Sequence, residues 1–253
     1  MSYLAGRLGK RQEADYWEQQ AATLQAQFLR RFWWEEEQTF YLALDGTKEP
    51  CAVVSSNAGQ CLWTGIVPDS YAQRVIARLM QNDMYSGWGI RTLSTDAARY
   101  NPMSYHNGSV WPHDTAMVGA GFAHQHGKVE AGMLLQSIYN ASQYHEDFRL
   151  PELYYGFAQR IGFGPTRYPR ACSLQAWAAG APFLLLNGLL GLQPQAEQQR
   201  LTLVQPTLPN WLHTMELHGM KVRGENVHLH LVRDGDTTNV IVGDDNRVDI
   251  LVL

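Results

Sequence analysis

The sequence predicts a mainly α-helical chain that ends in a small antiparallel β appendage. Three observations predict it. Apolar residues recur at helical spacing through much of residues 11–190. The stretches between them are long and rich in aromatic, Asn, Gly and His residues. After Pro194 the pattern changes to apolar/polar alternation punctuated by turn residues, the signature of strands. These shifts divide the chain into a helical part, 1–195, and a β appendage, 196–253.

The first helix is predicted over residues 11–33, RQEADYWEQQAATLQAQFLRRFW, where Tyr16, Trp17, Leu24, Phe28 and Phe32 share a face between Glu, Gln and Arg. EEEQTFYLALDGTKEP then alternates like a strand and turns at Asp45-Gly46. SNAGQCLWTGIV reads as Gly- and Asn-punctuated loop. A second helix runs from Asp69 to Met80 behind Pro68. Residues 84–111 form a long loop whose aromatic content argues against disorder and for function. A third helix follows Pro112, which suits a first helical turn, carries the small residues TAMVGAGFA and ends near Gly127. A fourth runs from about Val129 to Tyr144. Residues 145–171 are loop again, and a fifth helix starts at Ser173 as N-cap and continues to about Leu190. RLTLVQPTLP, TMELHGMKVRG, NVHLHLVRDGDTTNVIVG and RVDILVL are the strands of the appendage, with turns at Asp234-Gly235 and Gly243-Asp244. No exact internal repeat is present.

Composition narrows the function classes. The 253 residues carry a net charge of -4, only 17% charged residues, and 8 Trp, 12 Tyr and 8 Phe. That balance excludes a basic nucleic-acid footprint or polybasic membrane patch and favours ring-lined clefts. The three cysteines, Cys51, Cys61 and Cys172, are odd in number and lack metal-ligand spacing, which fits a reducing compartment. The N-terminus has no apolar signal core, and the most apolar run (177–192) is too short and too interrupted to span a bilayer. The expected location is the cytoplasm.

The densest chemistry lies in YNPMSYHNGSVWPHD, residues 100–114. His106 and His113 are seven apart and lack the spacing of a helical zinc site, so neither a metal nor a cofactor is expected. A phosphate cradle and a nucleophile elbow also lack their sequence context. What these loops do suit is sugar. Aromatic faces stack on the C–H side of a pyranose, and amides, imidazoles, carboxylates and guanidinium groups bond its hydroxyls. Trp63, Trp88, Arg91, Tyr105, His106, Asn107 and Trp111 are such groups on loops between helices, the competing reading being that the tryptophans fill the core. Glycoside hydrolysis also needs carboxyl groups at the scissile bond. Glu152 in RLPELYYGF is the best single candidate, against the alternative of a surface Glu. Asp114 is the second, against the alternative of a first-turn helix acid.

SNAGQCLWTGIV, SGWGIRTLS, YNPMSYHNGSVWPHD, PELYYGF and YPRACSLQAWAAGAPFLLLNGLLGL, in that order, resemble the bacterial glycogen-debranching-enzyme-like family of amylo-α-1,6-glucosidase type. The resemblance implies an (α/α)6 barrel, shared with trehalases and processing α-glucosidases, and inverting hydrolysis with one general acid and one general base. It implies that Glu152 is the base, that Trp111 is the sugar platform, and that His106, Asn107 and Asp114 are hydroxyl partners. SGWGIR would add Trp88 and Arg91. The implied substrate is an α-glucan or oligosaccharide.

The family's general acid is an Asp in an upstream block of the form G-W-x-D-S, and this sequence contains no such block. Twelve barrel helices also need roughly 300 residues or more, whereas about five are legible. The expectation is therefore the C-terminal portion of a barrel, with an incomplete hydrolase site. The face left open by the remaining helices should drive self-association or recruit a partner chain. Two other classes compete: a non-catalytic sugar-binding half-barrel, and a sugar epimerase exchanging a proton between His106 and His113.

Overall fold

The structure, a computed structural model, describes residues 1–173, 175–243 and 246–253. Among these residues seven α-helices precede the β appendage: α1 (Ser2–Arg7), α2 (Arg11–Phe32), α3 (Asn57–Trp63), α4 (Asp69–Leu79), α5 (Pro112–His124), α6 (Lys128–Ser142) and α7 (Ala176–Leu190). Two of them, α1 and α3, were not expected from the sequence. The helix α3 falls in a segment whose glycines suggested a loop. Those glycines serve packing instead. A Cβ on Gly59 would lie 2.7 Å from Val118 Cγ1, and one on Gly121 would lie 2.8 Å from the Gly59 carbonyl oxygen. Glycine on both helices thus lets the backbones of α3 and α5 touch.

Pro112 occupies the first turn of α5, as its fixed φ and missing N–H allow. Most of α5 is buried, because α3, α6 and α7 all pack on it. Leu62, Leu79, Ile90, Phe122, Leu134, Ile138, Tyr154 and Leu185 fill the core around it. The last helix, α7, begins at Ala176 with Gln175 as N-cap, not at Ser173. Ser173 instead pairs with Pro151 in an isolated bridge. Leu174 lies outside the described residues. Gly191 ends α7 with φ +61, a left-handed cap, and a Cβ there would collide with the Val204 carbonyl oxygen.

Two short antiparallel pairs follow α2: β1 (Trp33–Trp34) with β2 (Thr39–Phe40), and β3 (Ala43–Leu44) with β4 (Pro50–Cys51). The second closes around Asp45, whose Oδ1 accepts the backbone N–H of Thr47 and of Glu49. In the appendage, β5 (Leu192–Gln195), β6 (Arg200–Leu203) and β10 (Asp249–Val252) form one sheet, ordered β10-β6-β5. The other sheet is an antiparallel meander of β7 (Thr214–Val222), β8 (Glu225–Asp234) and β9 (Thr237–Val242).

The appendage is not wholly antiparallel, because β10 runs parallel to β6. The turn at Asp234-Gly235 joins β8 to β9, with Gly235 at φ +60. The turn expected at Gly243-Asp244 falls on Asp244, outside the described residues. Leu190, Leu201, Leu203, Val227, Leu229 and Leu231 make a second core. That second core therefore starts at the end of α7, a few residues before position 196. Lys128 pins the two cores together by donating to the carbonyl oxygens of Leu189 (3.0 Å), Val204 (2.8 Å) and Gln205.

Not every helix is covered. None of the residues of α2 is buried. Trp177 and Phe183 on α7 are 46% and 73% exposed, and Tyr3, Leu4 and Leu8 at the N-terminus are exposed as well. Among the described residues no helix is long and apolar enough to cross a membrane.

Candidate active site

The long segment between α4 and α5 has no regular structure, yet it is tightly tied down. Arg91 is buried; its Nε donates to the Gly156 carbonyl (2.7 Å) and its Nη1 to the Asn82 carbonyl (2.9 Å). Thr92 Oγ1 donates to the His106 carbonyl (2.8 Å) and accepts the Gly108 N–H (2.9 Å). Single bridges join Arg91 to Val110, Val110 to Tyr154 and Tyr154 to Arg167, so four passes of the chain lie side by side. Gly156 sits so close to the 104–111 loop that a Cβ would overlap the Gly108 carbonyl oxygen. These links bring the His-Asn-Trp block beside the Glu152 block.

A cleft of about 360 Å³ opens there. One wall is the start of α3, with Ser56, Asn57 and Gln60; Thr92, His106 and Asn107 form the rim. The other wall is aromatic, made of Trp111, His113 and Trp177. The rings of His113 and Trp177 stack at 4.1 Å with 7° between their planes. Trp111 meets both edge-on, at 5.6 and 6.0 Å, and Trp111 Nε1 donates to Ser109 Oγ (2.9 Å).

Asp114 lies in the first turn of α5 at the floor of the cleft and is only 6% exposed. Its Oδ1 accepts the Gln60 amide, while Oδ2 has no hydrogen-bond partner among the described residues. Burial pushes the Asp114 carboxyl above the ordinary aspartate range. Burial also holds the His113 imidazole below its ordinary value, against the opposing pull of Asp114 and Glu152, and His113 Nδ1 is likewise unpartnered. A polar floor and rim beside aromatic faces suit a polyhydroxylated ring: the side chains of Asn57, Gln60, Asn107 and Asp114 on the cleft offer groups for hydroxyls while the ring's C–H face meets indole.

Glu152 is 7% exposed and sits behind this cleft instead of on its wall. Oε1 accepts the Tyr105 hydroxyl at 2.8 Å, and Oε2 accepts the Cys172 N–H at 3.4 Å. The Glu152 N–H in turn donates to the Cys172 carbonyl (3.0 Å), which fixes the backbone. The Tyr105 ring packs edge-on against Trp111 at 4.8 Å, so Tyr105 links Glu152 to the aromatic wall. The hydrogen bond to Glu152 holds the Tyr105 phenol above its ordinary range.

The structure brings together His106, Asn107, Trp111 and Asp114 on the cleft, with Tyr105 and Glu152 next to it. It does not bring Trp63, Trp88 or Arg91 there. Trp88 is 3% exposed, packs edge-on to Tyr144, and accepts the Tyr154 hydroxyl at its carbonyl (2.9 Å). Arg91 Nε and Nη1 donate to backbone carbonyls, so it braces the loops, and it does not line the cleft. Trp63 opens on a different cleft of about 280 Å³, together with His124, His126 and Lys128. Conversely, Trp177, Gln60 and the Ser56-Asn57 pair line the site without having been singled out. The segment SNAGQ belonged to a recognised block, but only the close approach of α3 to α5 brings Gln60 to Asp114. Among the described residues no group of three or more His, Cys, Asp or Glu side chains converges as a metal cage.

Residues 1–160 match the mannosylglycerate hydrolase MGH1-like glycoside hydrolase domain. The chain belongs to that family. The match includes the cleft segments 55–60 and 104–114 and Glu152, and stops before Trp177. It bears out the wider class read from the sequence, a glycoside hydrolase, and does not specify glycogen debranching. No curated protein matches the chain in sequence.

Solved structures of low identity share the fold of this glycoside hydrolase domain. A sialidase superposes with a TM-score of 0.74 at 14% identity, covering 95% of this chain and 24% of its own. A GH78 family rhamnosidase of a Bacillus species superposes with a TM-score of 0.65 at 14% identity, covering 100% of this chain and 24% of its own. The GH63 mannosylglycerate hydrolase from Thermus thermophilus in complex with glucose gives a TM-score of 0.51 at 22% identity, over 73% of this chain and 43% of its own. The chain thus spans about a quarter to less than half the length of these structures.

Proposed function

We propose that this chain is the C-terminal portion of an (α/α)6 glycosidase barrel and carries the general-base side of an inverting, debranching-type α-glucosidase site. The observation that carries the reading is the buried Glu152 carboxylate, held by the Tyr105 hydroxyl directly behind an aromatic cleft in a glycoside hydrolase domain. In this reading the terminal sugar of an α-glucan or oligosaccharide lies in the cleft, its face toward Trp111 and its hydroxyls toward Asp114, His106 and Asn107. Glu152 takes a proton from the attacking water, whose oxygen bonds to the anomeric carbon as the glycosidic bond breaks. The departing oxygen takes its proton from an acid outside the blocks recognised here. The longer bond from Cys172 leaves Oε2 the freer oxygen for that water.

The exposed apolar residues of α1, α2 and α7, and the fold likeness to only a fraction of longer glycosidases, support the partial barrel. Those faces suit further barrel helices, from a second copy or a partner chain. A second reading, sugar binding without turnover, is favoured by Glu152 standing off the cleft wall with both oxygens engaged.

A substrate panel tests both. The purified chain is incubated with an α-1,6-branched gluco-oligosaccharide and, because of the family's name, with α-mannosylglycerate. Glucose released with inverted anomeric configuration from the first supports the debranching reading. Release from mannosylglycerate alone would move the substrate class. Binding without products, even from an α-glucosyl fluoride whose leaving group needs no acid, favours the second reading, and a hexose returned as its epimer would support an epimerase that uses the two cleft imidazoles, His106 and His113.

A further inference from the structure

A second cluster of chemistry lies on the outer face of the β7-β8-β9 meander, remote in sequence from the cleft. The register pairs Glu216 with His230 and Leu217 with Leu229, so the next cross-strand pair is His218 with His228. At that point the register shifts, between Leu217 and Met220, and Gly219 takes φ +70. Such a bulge re-aims the side chain beside it. Here the Nδ1 atoms of His218 and His228 face one another at 3.3 Å. The other nitrogen of His218, Nε2, is 2.8 Å from Glu216 Oε2. His228 is fixed through its backbone: its N–H donates to Asn246 Oδ1 (3.1 Å) and its carbonyl accepts from Asn246 Nδ2 (2.9 Å).

We propose that His218 and His228 form a surface site for a divalent zinc-like metal ion, bound through their two Nδ1 atoms and completed by water. Three features carry it. First, two imidazole nitrogens bound to one tetrahedral zinc, each at about 2.0–2.1 Å, stand about 3.3 Å apart, the separation found between these two. Second, Glu216 accepts the N–H of His218 Nε2, which leaves Nδ1 with a free lone pair; a carboxylate behind a histidine is the arrangement that orients metal-ligating imidazoles. Third, imidazole suits zinc, copper and nickel, and two neutral nitrogens whose lone pairs converge repel one another unless a proton or a cation lies between them. His218 and Glu216 are about two-thirds exposed, so water can fill the remaining positions. An ion there would clip β7 to β8 at the bulge, where the ladder is weakest.

The test uses the full chain, stripped with a chelator and titrated with Zn²⁺ against a chromophoric indicator. One equivalent is expected in the native chain, and none at this site in His218→Ala or His228→Ala. Glu216→Gln should keep the site but weaken it about 10- to 100-fold. Thermal midpoints give a second readout: Zn²⁺ should raise that of the native chain and leave both histidine variants unmoved, since an ion that binds only the folded state stabilises it. Because His218 is exposed, its variant should melt like the native chain without metal. No uptake by the native chain, or equal uptake by His218→Ala, would overturn the proposal and leave a hydrogen-bonded histidine pair.

Discussion

Glu152→Gln is expected to lower glycoside turnover by about 10²- to 10⁴-fold, the scale of a lost general base, and to leave sugar affinity nearly unchanged. Gln has the shape of Glu, and its amide oxygen can still accept the Tyr105 hydroxyl that now ends on Oε1 at 2.8 Å. What it cannot do is take a proton from water. Because Glu152 is absent from the cleft wall, binding and turnover should separate cleanly in this variant. Initial rates of sugar release, measured beside affinity on the same preparation, check it. A Glu152→Gln chain that turns over at the native rate would remove Glu152 from the chemistry.

The largest loss of stability is expected from Arg78→Ala. Arg78 reaches from α4 into the base of the long loop, where Nη1 and Nη2 meet Asp83 Oδ1 and Oδ2 at 2.9 Å each, and Nε donates to Glu37 Oε2 at 3.0 Å. Both partners of the inner pair are largely covered, with side-chain exposures of 8% and 12%. Removing one leaves Asp83 charged and uncompensated, which costs about 3–5 kcal/mol. A fall of that size in the unfolding free energy should appear as a lower denaturant midpoint. Asp83 also accepts the Ser94 hydroxyl, next to the Thr92 and Leu93 that line the cleft, so the variant should loosen the site as well.

The same pair sets a pH dependence. Burial acts to raise the Asp83 carboxyl, but the bonds from Arg78 and Ser94 outweigh it and hold it below the ordinary aspartate value. A depressed acid stabilises the fold above its unfolded pKa and loses that contribution as pH falls through the folded one. The native chain should therefore shed part of its stability below about pH 4, and Arg78→Ala should lack that component.

Local signals made much of this molecule legible in the sequence, and long-range packing hid the rest. The helix α5 announces itself through Pro112 and the small residues after it, and α4 through Pro68-Asp69, because those effects act within one turn of chain. The helix α3 does not. Gly59 lowers helix propensity, and its compensation is contact with Val118 and Leu79 across the core, which no window of sequence contains. The site divides in the same way. His106, Asn107, Trp111 and Asp114 lie within nine residues, so one aromatic and polar turn revealed them together. Trp177 joins them only because α7 packs on α5 and lays its indole on His113. Arg91 and Trp88 misled for the opposite reason: a loop Arg and a loop Trp look available until the carbonyls of Asn82 and Gly156 and the ring of Tyr144 occupy them.

The measurement that bears most directly on function is calorimetric titration of the folded chain with a short α-gluco-oligosaccharide, repeated on Trp177→Ala and Asp114→Asn. Saturable binding is predicted in the native chain, weakened about tenfold or more in each variant, the scale of one lost stacking face or charge-assisted hydrogen bond. Binding that ignores both substitutions, or none at all in a folded native chain, would contradict the assignment of this cleft as a sugar site.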